Sequence, residues 1–71
     1  MIIGIDFDGT CVSHEFPYIG KDIGAVPVLK KLVEDGNQLI LWTMRSDGKS
    51  GDFLKQAIEW FKDNDIPLWR I

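Results

Sequence analysis

From residue 2 to residue 7 the chain reads Ile-Ile-Gly-Ile-Asp-Phe, a short β-branched run that ends in Asp8-Gly9. A run of this length and make-up predicts a strand buried on both faces, as in a parallel sheet. Residues 10–21 have no clear period and include Pro17 and Gly20, so they read as a loop. Leu29, Leu32 and Val33 then share one face of a helix over 26–35, with Pro27 suited to its first position and Gly36 placed to end it. Residues 38–43, Gln-Leu-Ile-Leu-Trp-Thr, form a second buried strand, followed by a polar loop over 45–51. A second helix begins after Asp52 as its cap, with Leu54, Ile58 and Phe61 as its apolar stripe and Ala57 and Trp60 beside it. Asn64-Asp65-Ile66-Pro67 breaks that helix, and residues 68–71 begin a third strand.

The order βαβαβ predicts an α/β fold in a single domain over 1–71, with a parallel sheet and right-handed crossovers. Ligands in such sheets bind beyond the carboxyl ends of the strands. Residues 6–10 and 43–46 both fall there, so two segments distant in sequence meet at the expected site.

Composition narrows the function. A chain of 71 residues buries only about 60% of the surface its unfolded form exposes, so its stability is expected to be small. The formal charge of −3 and the scattered Lys and Arg residues argue against a nucleic-acid partner, which calls for a basic stripe. Cys11, the single cysteine, has no partner for an internal disulfide, and this favours the reducing cytoplasm. The N-terminus reaches Asp6 before any hydrophobic core of a leader peptide is complete, and no apolar run spans a bilayer.

The chemistry concentrates in Asp6-Phe7-Asp8-Gly9-Thr10. Strand alternation starts Asp6 and Asp8 toward one side, and two carboxylates so close repel unless a proton or a cation lies between them. A hard divalent ion suits such a pair, and magnesium is the usual one where phosphate also binds. The Gly9-Thr10 turn is suited to aim backbone N–H groups at an anion, Gly9 tolerating a positive φ.

This segment, after an N-terminal apolar strand, resembles the first motif of the haloacid-dehalogenase-like (HAD) hydrolases. Thr43, closing the next strand in Leu41-Trp42-Thr43-Met44-Arg45, resembles their second motif and the small members without a large cap. The resemblance implies a three-layer, Rossmann-like HAD core that is incomplete at its C-terminal side. It also implies a magnesium-dependent phosphatase acting on a small phosphorylated substrate. Asp6 would be the nucleophile and Asp8 the general acid and base. Magnesium would bind the Asp6 carboxylate and the Asp8 backbone carbonyl, while Phe7, Gly9, Thr43 and Arg45 would contact the phosphate. The family's third-motif lysine and fourth-motif acidic pair have no match in residues 1–71, since Lys49 departs from the pattern and no acidic pair follows a later strand. A rival reading is a non-catalytic phosphate- or metal-binding module that keeps only the first two motifs.

Other motifs fail on inspection. Cys11 lacks the arginine six positions on that a cysteine phosphatase needs, Pro17 standing there, and reads as a buried thiol. His14-Glu15 begins like a zinc-protease motif, but Tyr18 takes the place of the second histidine, and His14 reads as loop surface. Gly48-Lys49-Ser50 copies the end of a P-loop without its leading glycine, which is Thr43 here. Trp42, Trp60 and Trp69 read as core. With only three strands the first lies at an edge without protective lysine or proline, so the expectation is that either further residues of the same gene complete the sheet or two chains pair through that edge.

Overall fold

The structure, a computed structural model, describes residues 1–16, 18–48 and 51–69. In chain order its elements are β1 (Ile2–Ile5), α1 (Ala25–Glu34), β2 (Gln38–Leu41), β3 (Asp47–Gly48), β4 (Gly51–Asp52) and α2 (Phe53–Asp63). β1 and β2 pair in parallel, with Ile3 opposite Leu39 and Ile5 opposite Leu41. The Trp42 N–H closes this ladder on the Ile5 carbonyl at 2.8 Å. Both strands are therefore shorter than the apolar runs predict, and the chains leave the ladder where the chemically active residues begin.

The predicted third strand is present only as a beginning. Leu68 and Trp69 are not in a strand, but the Trp69 N–H donates to the Leu39 carbonyl at 2.7 Å. That carbonyl points away from β1, so this segment runs along the far edge of β2. Arg70 and Ile71 lie outside the described residues, as do Pro17, Lys49 and Ser50. The polar loop over 45–51 contains a minute antiparallel hairpin, β3 with β4, in which Gly48 faces Gly51.

The core gathers on one face of the sheet. Ile5, Phe7, Leu39 and Leu41 are buried together with Leu29 of α1 and Ala57 and Phe61 of α2. The alternate positions Ile2, Gly4, Asp6, Gln38 and Trp42 are exposed. The expectation of burial on both faces is thus corrected. Both helices pack on the same side, as successive right-handed crossovers in one direction require, and the described residues form two layers. Trp42, expected in the core, is 74% exposed on the bare face, and Trp69 is also exposed; only Trp60 packs against the core. Cys11 and Val12, in the loop, are fully buried.

The helix ends follow local rules, with two corrections at their starts. α1 opens at Ala25, so Pro27 stands third rather than first, still within the turn whose N–H groups have no intrahelical acceptor. Asp52 is the N-cap of α2 but makes no side-chain capping bond; Asp47 Oδ1 accepts from the Lys55 N–H instead, at 3.0 Å. Gly36, at φ 93°, ends α1 as predicted, with its N–H on the Val33 carbonyl and that of Asn37 on Leu32, both at 3.0 Å. Among the described residues no helix is long and apolar enough to cross a membrane.

Candidate active site

Asp6 and Asp8 follow β1 directly, and Thr43 follows β2 by two residues. Because the strands are parallel and in register, these ends open on one side of the sheet. A cleft of about 420 Å³ lies there, lined by Asp6, Asp8, His14, Phe16, Thr43, Met44 and Arg45. Four of the residues singled out from sequence are thus brought together: Asp6, Asp8, Thr43 and Arg45. His14 is exposed, as expected, and stands at the cleft wall.

Asp6 is exposed, and its Oδ1 accepts the Phe7 N–H at 2.9 Å. Phe7 contributes its ring to the core, fully buried and edge-on to Trp60 at 5.5 Å. Its amide is directed at Asp6. The turn after Asp8 closes on itself: the Phe7 carbonyl accepts from Thr10 at 3.2 Å and Cys11 at 2.9 Å, and the Gly9 N–H donates to Val12 at 2.8 Å. Gly9 does adopt the positive φ expected of it, 85°. The expectation that the Gly9 and Thr10 amides face an anion is corrected, because a loop folding back to bury Cys11 and Val12 uses both donors.

Arg45 also departs from expectation. Its side chain is only 1% exposed, and that of Asp8 15%. Nε donates to Asp8 Oδ2 and Nη2 to Asp8 Oδ1, each at 2.7 Å, a bidentate pair. Nη2 also donates to the Tyr18 carbonyl at 2.9 Å, and Nη1 to that of Phe53 at 3.5 Å. The guanidinium lies 5.1 Å from the ring centres of both Phe7 and Phe16. A tight turn turns this side chain inward, since Thr43 Oγ1 accepts the Arg45 N–H at 3.1 Å. Removing either partner of such a pair leaves the other charge in the interior, a loss of about 3–5 kcal/mol.

Two titrating groups near the cleft are shifted. Burial, with the charges of Asp6, Asp22 and Asp8, pushes the Cys11 thiol up to about 11, and its Sγ donates to the Asp6 carbonyl at 3.3 Å. The Ser13 hydroxyl donates to Glu15 and holds its carboxyl below the usual range. The sequence reading missed Phe16, Tyr18 and Met44. They sit in turns, where no periodicity exposes a role, and only the two aromatic residues of the loop over 10–21, Phe16 and Tyr18, gave a hint.

Fold and site together define a small mixed α/β protein with an acidic pair at the end of a parallel strand. No family model and no curated protein matches the sequence. A conserved protein coded by a locus of Bacteroides thetaiotaomicron has a similar solved structure, with a TM-score of 0.86 and 39% sequence identity. The match covers 99% of this chain and 55% of that one, so the chain spans little more than half of its neighbour's length.

Proposed function

We propose that this chain is the nucleophile-bearing part of a HAD-type phosphomonoester hydrolase, within a three-layer, Rossmann-like core. One observation carries the reading: Asp6, Asp8 and Thr43, from two parallel strand ends, line a single cleft. In this mechanism Asp6 Oδ2, the oxygen not held by the Phe7 amide, attacks phosphorus. The bond from phosphorus to the leaving oxygen breaks, and that oxygen takes a proton from Asp8. Water then attacks the aspartyl-phosphate, giving a proton back to Asp8, and the bond to Asp6 breaks to release phosphate. Thr43 Oγ1 holds a phosphoryl oxygen.

The donor set suits magnesium in part. Among the described residues no three His, Cys, Asp or Glu side chains converge, and Asp8 has both carboxylate oxygens on Arg45. The Asp6 carboxylate and the Asp8 backbone carbonyl would hold the ion, which commonly keeps several waters and takes only one or two carboxylates beside a phosphate. Bound there, it supplies charge neutralisation on the phosphoryl oxygens.

Hydrolysis of p-nitrophenyl phosphate tests the reading, with Asp6→Asn and excess chelator as controls. Magnesium-dependent turnover that Asp6→Asn abolishes, with the circular dichroism spectrum retained, is the expected result. Calcium should substitute poorly, because its looser coordination misplaces the in-line attack. Turnover surviving in Asp6→Asn or in chelator would sink the mechanism. Binding of phosphate without turnover would favour the non-catalytic module.

A further inference from the structure

Arg45 is the least explained of the cleft residues. Sequence position suggests a phosphate ligand, yet its guanidinium faces inward and binds protein groups on several sides. One side is the Asp8 carboxylate, engaged through both oxygens at 2.7 Å. Another is the loop that follows the acidic motif, through the Tyr18 carbonyl at 2.9 Å and the Phe16 ring at 5.1 Å. That loop is closed at its base, where the Ser13 N–H donates to the Lys21 carbonyl at 2.7 Å and Ser13 Oγ accepts the Lys21 N–H at 2.9 Å. Near its tip the Phe16 ring packs on that of Phe53, at the start of α2, with 5.2 Å between centroids, and Arg45 supplies the polar anchor beside that contact.

The geometry points to Arg45 as a positioning residue that holds the Asp8 carboxylate together with Phe16 and Tyr18 of the loop as one unit, and not as a ligand of the phosphoryl group. The inference rests on the phosphatase reading for its kinetic consequence, in which Asp8 serves the leaving oxygen. A bidentate guanidinium sets the plane of a carboxylate as well as its distance, which a single ammonium cannot do. Each Asp8 oxygen keeps a further lone pair for proton transfer, so the clamp orients the group without consuming it. Phe16 forms one wall of the cleft and covers the guanidinium, so the same contact that aims Asp8 also shapes the entrance.

Arg45→Lys is the informative substitution, because it keeps a cation beside Asp8 and loses the fork. Steady-state hydrolysis is compared for p-nitrophenyl phosphate and for an alkyl phosphate, whose leaving group needs a proton. Inorganic phosphate serves as the inhibitor that reports phosphoryl binding. Arg45→Lys should leave inhibition by phosphate unchanged, and the alkyl phosphate should lose much of the roughly 10²–10⁴-fold that general acid–base catalysis supplies. The aryl phosphate should lose far less. In an Asp8→Asn background the same substitution should add no loss selective for the alkyl phosphate.

Weakened phosphate inhibition with equal loss for both substrates would overturn the inference and make Arg45 a phosphoryl ligand. If instead Asp8→Asn itself shows no preference between leaving groups, the phosphatase reading of Asp8 fails, and the fault lies there. Amide hydrogen exchange gives a readout that needs no turnover: Tyr18 and Lys21 should exchange faster in Arg45→Lys while Gln38 and Trp42, whose N–H groups are bonded to the β1 side, do not. Unchanged exchange at Tyr18 and Lys21 would overturn the anchoring of the loop, whether or not the chain hydrolyses phosphate.

Discussion

At the scale of single residues, the environment of each side chain departs most from what its type suggests. Cys11, five positions from Asp6 in a loop, is fully buried as its sequence reading expects, and what departs from its type is the thiol, pushed up to about 11 from 9.0. Burial dominates because the thiolate would lose hydration, and the neighbouring carboxylates add repulsion. A group raised in the folded state contributes stability that is complete below its unfolded value and is lost as pH rises through the folded one. The chain should therefore lose stability between about pH 9 and pH 11. Cys11→Ala should flatten that part of the profile, as chemical denaturation across this range would show. A thiol-specific reagent at neutral pH should react with the native chain far more slowly than with the unfolded chain. Equal rates would mean the thiol is accessible.

At the scale of elements, both helices end in the same way by different residues. α1 uses Gly36, at φ 93°, whereas α2 uses Asp65, at φ 58°, with its N–H on the Lys62 carbonyl at 3.1 Å. The following Ile66 N–H reaches Phe61 at 2.9 Å, and the two apolar side chains are buried together. This is the Schellman arrangement with its apolar contact. A methyl group on Gly36 would meet no atom within 4 Å, so any penalty there is one of backbone conformation alone. Gly36→Ala should cost about 1–2 kcal/mol, or a fall in Tm of roughly 4–8 °C for each kcal/mol in a domain of this size. Asp65→Gly should raise Tm, since it relieves the same conformational cost. Thermal melts of the two variants check the pair, and a rise for Gly36→Ala would contradict the account of this helix end.

At the scale of the whole molecule, the sheet has one covered face and one bare one. Ile2 and Trp42 are exposed on the bare face, and Met1 and Met44 extend the apolar surface at its ends, Met44 being 99% exposed. Among the described residues β1 is bonded only to β2, so its other edge presents unpaired backbone groups. An open edge beside an apolar face is a template for pairing with another chain. A polypeptide of residues 1–71 should therefore self-associate, and sedimentation should find dimers or larger species. Ile2→Lys, which puts a charge on the exposed strand face, should shift it toward monomer. A monomer at high concentration without that substitution would show that the edge is protected in another way.

How much was legible in advance follows from the range of the forces involved. The positions of the helices, the glycine stop at Gly36 and the placing of Asp6, Asp8 and Thr43 at strand ends depend on propensity, spacing and turn chemistry within a few residues. The sequence by itself therefore determined them. Tertiary contact alone decided which face of each strand is covered, because alternation along β1 is the same whether one helix layer or two packs against it. That is why Trp42 reads as core and proves exposed. The capping of α2 by Asp47 instead of Asp52 needed the hairpin to bring Asp47 back to Lys55. Arg45 is the clearest case. Its local sequence suggests a solvent-facing phosphate donor, but its partner Asp8 lies 37 residues away along the chain. Two charges that far apart find one another only after the parallel ladder has set both strand ends side by side.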